Sequence, residues 1–192
     1  MAIIAPIVIK LLSEENFHDV DKCDGTFLID SELAVYTTSG LIEYEIVSVE
    51  PYKKRYVADK NRDLHAYIDN PKGAVYLAYI EDKVCGQMIL TLNWNNFALI
   101  EDLEVDLDFR RQGVGQGLLE QAKVWAMGMK LAGVTLETQN NNVAACLFYK
   151  RAGFELCGFD RNLYKGMNPH TNEIALYWYY VFNEDDLSGA VQ

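Results

Sequence analysis

A chain of 192 residues, half of them apolar and 23% charged, is long enough to bury a full core and has the composition of one globular domain. Its 28 acidic residues against 17 lysines and arginines leave a net charge of -11. That removes the basic surface on which non-specific nucleic-acid binding depends and suits a small cationic ligand. Cys23, Cys85, Cys146 and Cys157 include no C-x-x-C pair, and His18, His65 and His170 are scattered, so the pattern supports neither a disulfide frame nor a metal site; the thiols read as buried in a reducing compartment.

In chain order, the apolar start "MAIIAPIVIKLL" is broken by Pro6 and holds Lys10. Without a basic n-region or a small-residue cleavage site it reads as a first strand, Ile4 to Leu12, and not as a signal peptide. No stretch has membrane-spanning length, so a cytoplasmic protein without membrane contact is expected. Ser13 is placed as the N-cap of a helix reaching about Cys23, with a turn at Asp24-Gly25. Thr26 to Tyr36 and Leu41 to Val49 are strands separated by "TTSG"; alternation puts Leu41, Glu43, Glu45, Val47 and Val49 of the second on one face and Ile42, Tyr44 and Ile46 on the other, a half-buried strand with an acidic edge, and Pro51 is taken to interrupt it. Tyr56 to Ile68 is read as helical. Ala74 to Ile80 and Val84 to Leu92 form a hairpin across Glu81-Asp82-Lys83, and Ala98 to Val105 is a further strand.

A helix then runs from the glycines near position 113 to about Ala132, with Val114, Leu118, Leu119, Ala122, Trp125, Ala126 and Met129 on one side and Gly133 as its stop. Val134 to Thr138 is a strand, Asn142 to Ala152 a short helix ended by Gly153, and Phe154 to Phe159 and Glu173 to Phe182 the last strands. Asp185 to Gln192 lacks periodicity and reads as a loose tail. The expected class is α/β (α+β), with a mixed, mostly antiparallel sheet of about seven strands flanked by helices.

The stretch "FRRQGVGQGLL" carries the first chemical signal. A dinucleotide fingerprint requires a third glycine where Leu118 stands, and no Gly-Lys-Ser/Thr follows, so both nucleotide loops are excluded. What remains is Arg110-x-x-Gly113-x-Gly115 between a strand and a helix. One reading is an anion nest of helix N-terminal N–H groups, with Arg110 and Arg111 adding positive charge; the other is a tight turn that needs small residues. Upstream, "IEDLEVD" places Glu101, Asp102 and Glu104 on a strand, as a base for an amine, as recognition of a cationic substrate, or as a solvated edge. Alternation puts Asp102 and Glu104 on one face and Glu101 on the other.

Together, Val105, Arg110-x-x-Gly113-x-Gly115 and Asn142-x-x-Ala145-x-x-Phe148-Tyr149-x-x-x-Gly153-Phe154 resemble the GNAT superfamily of acetyl-CoA-dependent N-acetyltransferases over residues 75 to 160. The resemblance implies one GNAT domain over 1–192: 1–72 shaping the acceptor site, 73–160 the acetyl-CoA-binding core, 161–183 the C-terminal strands and 184–192 a tail. It implies that acetyl-CoA is the cosubstrate and that Arg110, Arg111, Gln112, Gly113, Val114, Gly115, Gln116 and Gly117 hold its pyrophosphate, chiefly through N–H groups. Backbone groups of Leu103 and Val105 pair with the pantetheine arm, Asn142 hydrogen-bonds that arm, and Tyr149 is the general acid. A phenol of ordinary pKa, about 10, is protonated at neutral pH and can protonate a departing thiolate, whereas the alternative for Tyr149 is packing on the sheet. Asp102 and Glu104 are expected to line the amine site, with the base between them unassigned. Cys146 and Cys157 have no base beside them in the sequence, which favours direct transfer over an acetyl-cysteine route.

The stretches "SELAVYTTSGLIEYEIVSVEPYKKRYV", "AYIEDKVCGQMIL" and "NEIALYWYYVF" further resemble the streptothricin acetyltransferases of bacteria. That resemblance implies acetyl transfer to an amino group of the β-lysine moiety of the antibiotic, with resistance as the outcome; another cationic amine (an aminoglycoside, a polyamine, lysine or a protein N-terminus) is the alternative, and a non-catalytic acyl-CoA sensor a third. Tyr36, Glu43, Glu101, Asp102 and Trp94 are the expected substrate-binding residues, with Glu45, Tyr44, Trp178, Tyr179 and Tyr180 as further candidates. The oligomeric state is open, a homodimer included.

Overall fold

The structure, a computed structural model, describes residues 6–56, 62–184 and 186. In chain order it comprises β1 (Val8–Leu11), β2 (Phe27–Thr38), β3 (Leu41–Lys54), β4 (Gly73–Ile80), β5 (Lys83–Leu92), β6 (Ala98–Val105), α1 (Val114–Gly128), β7 (Gly133–Gln139), α2 (Val143–Arg151), β8 (Glu155–Asp160) and β9 (Ala175–Val181). Residues 1–26, 55–134 and 183–192 form one compact unit, and 27–54 with 135–182 another.

In the first unit the strand order is β1-β4-β5-β6, all neighbours antiparallel. Every residue of β4 is buried because both of its faces are covered. Leu12, Leu64, Val75, Leu77, Tyr79 and Ile89 make one apolar cluster, against which Phe17, Val20, Tyr67 and Ile68 pack. On β5, a Cβ added at Gly86 would lie 2.8 Å from Val114 Cγ1 and 3.0 Å from Leu118 Cδ1, so α1 approaches that strand only where a side chain is missing. Val114, Leu118, Leu119, Ala122 and Ala126 are the buried stripe of α1. The β4–β5 connection is the two-residue turn Glu81-Asp82, both at positive φ, which matches the right-handed twist of the flanking strands; Lys83 already belongs to β5.

In the second unit β7, β9 and β8 are neighbours in that order, and β2 and β3 form a separate two-stranded ribbon turned at Ser39-Gly40. Seven sheet strands with flanking helices are the α+β architecture expected of the sequence. The ribbon alternates as predicted over its first half, with Ile42 and Tyr44 half-buried between exposed Leu41, Glu43 and Glu45.

Several local expectations are corrected. Residues 13–23 hold only a 3-10 turn at Phe17–Asp19, because Asn16 accepts from the Ser13 N–H (2.8 Å) and Asp21 takes φ 57°. At the expected Asp24-Gly25 turn, Asp24 Oδ1 accepts the Thr26 N–H at 3.0 Å, a side-chain turn that leads into β2. Pro51 does not interrupt β3: it lies where the register slips between the pairs Ile29↔Tyr52 and Ser31↔Ser48, so its missing N–H breaks no ladder bond. Of the helix expected at 56–68, the described part is a 3-10 turn at Leu64–Tyr67. Helix α1 stops at Gly128 and not near Ala132; Lys130 takes the left-handed conformation (φ 57°), and the Leu131 and Lys130 N–H groups bond back to the Ala126 and Met127 carbonyls, both at 2.9 Å. Met129, expected on the apolar side, caps this end and is 36% exposed. The start of the first strand and most of the expected tail lie outside the described residues.

Candidate active site

The chemistry-bearing groups fall into two sets. In the first unit, the chain leaves β6 and turns into α1 through Arg111 (φ 61°) and Gly113 (φ 93°). Gly113 is the N-cap, no side chain caps the helix, and the first intrahelical bond is Gly117 N–H to Gly113 C=O at 2.9 Å. The N–H groups of Gly113 through Gln116 therefore have no intrahelical acceptor, and the helix dipole adds to their positive field. Side chains named with them serve the loop itself: Arg110 Nε donates to the Val105 carbonyl (3.1 Å), Gln112 to the Asp108 carbonyl (3.1 Å) and Gln116 to Glu120 (2.6 Å). Arg111 is exposed, and Val114 and Gly117 face inward, Val114 against Gly86. Such an uncapped nest fits a pyrophosphate.

Leu103 and Val105 stand opposite Met88 and Gly86 as non-hydrogen-bonded pairs, since the Asp106 N–H donates to the Cys85 carbonyl at 3.0 Å. Their own N–H and C=O groups thus point away from β5. An extended amide-bearing chain such as a pantetheine arm could pair with such an edge, and the Val105 carbonyl also accepts from Arg110.

The acidic strand separates into distinct environments. Glu101 is the extra residue of a bulge between the pairs Ile89↔Asp102 and Leu90↔Ile100; it is exposed and accepts from the Tyr67 hydroxyl (2.9 Å) and Thr91 Oγ1 (3.1 Å). Asp102 lies 3.8 Å from Arg62, and burial holds its carboxyl above the usual range despite that cation. Burial pushes Glu104 up to about 7; the Asp102 and Asp21 carboxylates add to this, and Arg55 and Arg110 oppose it. A carboxyl that titrates at neutrality is suited to accept a proton from an amine.

In the second unit, Asn142 is the N-cap of α2, its Oδ1 accepting from the Ala145 N–H at 3.3 Å, so a ligand would meet its Nδ2 instead. Tyr149, 7% exposed, is packed among Phe148, Phe154 and Trp178 at ring separations of 5.4, 5.9 and 6.5 Å. This cluster holds its ring, as the packing alternative required. Trp178 is fully buried, so it packs rather than faces solvent; Tyr180 packs on Phe154, and a Cβ at Gly153 (φ 89°) would meet its ring. Tyr179 is half-buried.

The expected substrate residues belong to both units, Tyr36 and Glu43 to the second and Trp94, Glu101 and Asp102 to the first. Tyr36 is cross-strand to exposed Glu43 and lines a cleft of 480 Å³ with Glu32, Asn140, Arg161, Lys165 and Asn172. Tyr44 receives Lys150 Nζ at 3.0 Å. Trp94, on the β5–β6 loop, is 93% exposed. Cys23, Cys85 and Cys146 are buried, and burial pushes Cys146 up to about 12, which removes its nucleophilic form; Cys157 is exposed, not buried as expected. The sequence reading missed Asp21, Gly25, Arg55 and Gln87, all grouped around Glu104. The one polar residue in the apolar run "VCGQMIL", Gln87, was the available signal.

Residues 41–154 match the acetyltransferase (GNAT) family. Streptothricin acetyltransferase A of Bacillus subtilis (strain 168) is 35% identical over 91% of this chain and all of its own length. A crystal structure of a candidate streptothricin acetyltransferase from Bacillus anthracis str. Ames, in complex with acetyl coenzyme A, superposes with TM-score 0.85 at 38% identity, covering 94% of this chain and 99% of that one. A nourseothricin acetyltransferase structure follows at TM-score 0.76 and 28% identity, over 91% and 98%. The family match and these likenesses mean that the chain belongs to the acetyltransferase (GNAT) family and is an acetyl-CoA-dependent N-acetyltransferase.

Proposed function

We propose that this enzyme acetylates an amino group of the β-lysine moiety of streptothricin and so confers resistance to the antibiotic. The observation that carries the reading is 35% identity to a streptothricin acetyltransferase across its full length. The net charge of -11 supports it, because a polycation is attracted to such a surface. Bound acetyl-CoA supplies an activated thioester acyl group.

The chain's own residues take the following roles. N–H groups of Gly113 to Gln116 hold the pyrophosphate, with the Arg110–Gly117 stretch forming the loop, and backbone groups of Leu103 and Val105 hold the pantetheine arm, aided by Asn142. One N–H of that edge polarises the thioester carbonyl. Glu104 takes the proton of the attacking amine, and Asp102 keeps the surroundings anionic. As the C–N bond forms and the C–S bond breaks, the Tyr149 hydroxyl protonates the departing sulfur. Glu104 fits the base role because burial has already brought it up to about 7. Tyr36, Glu43, Glu101 and Trp94 are read as outer contacts for the cationic substrate. The whole of 1–192 acts as one domain on this reading. Buried free thiols suit a cytoplasmic location, and among the described residues no helix is long and apolar enough to cross a membrane.

A thiol-release assay with acetyl-CoA tests the substrate. Turnover is expected with streptothricin and not with kanamycin, spermidine or a histone-tail peptide; turnover of one of those amines in the absence of any with streptothricin sinks the claim. Tyr149→Phe keeps the aromatic packing and removes only the hydroxyl. It is expected to lower kcat about tenfold or more while acetyl-CoA affinity stays near wild type; unaltered kcat would make Tyr149 structural.

A further inference from the structure

Residues Asp21 to Gly25 cross the face of the sheet that carries Glu104 and are fastened at three places. Gln87, 1% exposed and directly opposite Glu104 on β5, donates from Nε2 to Asp21 Oδ1 (3.0 Å) and accepts the Asp21 N–H at Oε1 (2.9 Å). Arg55 donates to the Cys23 carbonyl (3.2 Å). The Asp24 N–H donates to Asp106 Oδ2 (2.8 Å), and its carbonyl accepts the Leu107 N–H (3.1 Å). At the far end, a Cβ added to Gly25 would stand 2.7 Å from Glu104 Oε1, 3.0 Å from Cδ and 3.5 Å from Oε2, so the carboxyl group rests against the bare Cα.

We propose that Asp21–Gly25 is a positioning strap for the catalytic carboxylate: Gln87 anchors it, and the missing side chain at Gly25 leaves the space in which Glu104 sits. The inference rests on reading Glu104 as the base. A buried glutamine making two hydrogen bonds to one aspartate is costly to leave unsatisfied, so the anchor holds Asp21 in one place beside the β6 carboxylates. Asp21 in turn raises both Asp102 and Glu104 by like-charge repulsion. The charged or titratable groups acting on Glu104 are Asp102 from β6 itself, Asp21 from the strap, Arg55, and Arg110 from the loop before α1; Glu104 also raises Cys23, whose thiol burial pushes to about 12.

The test is steady-state kinetics across acid and neutral pH on the full chain, using the amine identified by thiol release, with acetyl-CoA affinity and melting temperature measured beside it. Gly25→Ala adds one methyl whose nearest neighbour is the movable end of a side chain. It is therefore expected to leave melting and acetyl-CoA affinity near wild type while kcat falls about 10- to 100-fold, the scale of a misplaced reacting group. Asp21→Asn keeps an oxygen for Gln87 and removes the charge; the acidic limb of kcat/KM should move to lower pH. Wild-type kcat in Gly25→Ala, or a kcat loss matched by lost folding or lost acetyl-CoA binding, overturns the positioning role. An unmoved limb in Asp21→Asn overturns the electrostatic one. If Glu104→Gln turns over like wild type, the base assignment itself has failed; if that variant is impaired and the strap variants are not, only the strap has.

Discussion

Glu104→Gln is expected to lower kcat by about 10²- to 10⁴-fold and to abolish the acidic limb of kcat/KM, with acetyl-CoA affinity retained. The limb follows from the direction of the shift. Burial and Asp102 bring Glu104 up to about 7 from the ordinary 4.5, so below neutrality the folded enzyme carries a protonated carboxyl that cannot accept the amine proton. The same shift has a stability consequence of fixed sign. A carboxyl raised on folding contributes stability that is complete below the unfolded value and is lost as pH rises through about 7. The glutamine variant has no such loss and should gain melting temperature relative to wild type on the alkaline side, with little difference in acid. Activity loss with a gain in alkaline stability is the signature of a functional carboxyl held against its own preference; full activity in the variant would move the base to Asp102 or to water.

Gly115→Asp should remove acetyl-CoA binding while the protein remains folded. Gly115 is the second residue of α1, and its N–H is one of those that the helix leaves without an acceptor. An aspartate in a first helical turn is favourable to the free helix by about 0.3–1 kcal/mol, because it faces the positive end of the dipole. It also fills the anion's place with a side chain of the same sign. Losing two charge-assisted hydrogen bonds of about 1.5–3 kcal/mol each corresponds to an affinity loss of at least about 100-fold. Calorimetric titration with acetyl-CoA beside a thermal melt separates the outcomes. Unchanged melting with no detectable binding supports the nest, and retained binding rules it out.

The glycine loop and the acidic strand illustrate what could be read before any coordinates. Gly113 and Gly115 stand within a few residues of the groups they free, so spacing alone narrowed the loop to an anion nest or a tight turn and excluded the nucleotide loops. Strands β4 to β6 and helix α2 were placed nearly to the residue, since their periodicity is local. The failures share one cause. The helix expected after Ser13 was a propensity reading, and the segment that follows the short 3-10 turn is instead fixed by Gln87, 66 positions from Asp21, and by Asp106, 82 positions from Asp24. Pro51 was read as interrupting the strand because propensity does not see a register slip.

By itself the sequence determined the α+β class and the order of the motifs, because each is written in spacings that the backbone turns directly into local geometry, and its resemblance to known acetyltransferases supplied the family. Only the tertiary structure separates the surroundings of the three acids of "IEDLEV". A bulge leaves Glu101 exposed to Tyr67 and Thr91, Arg62 partly offsets burial at Asp102, and a distant strap covers Glu104 and lifts it to about 7. Desolvation depends on what packs over a group, and what packs over Glu104 comes from elsewhere in the chain.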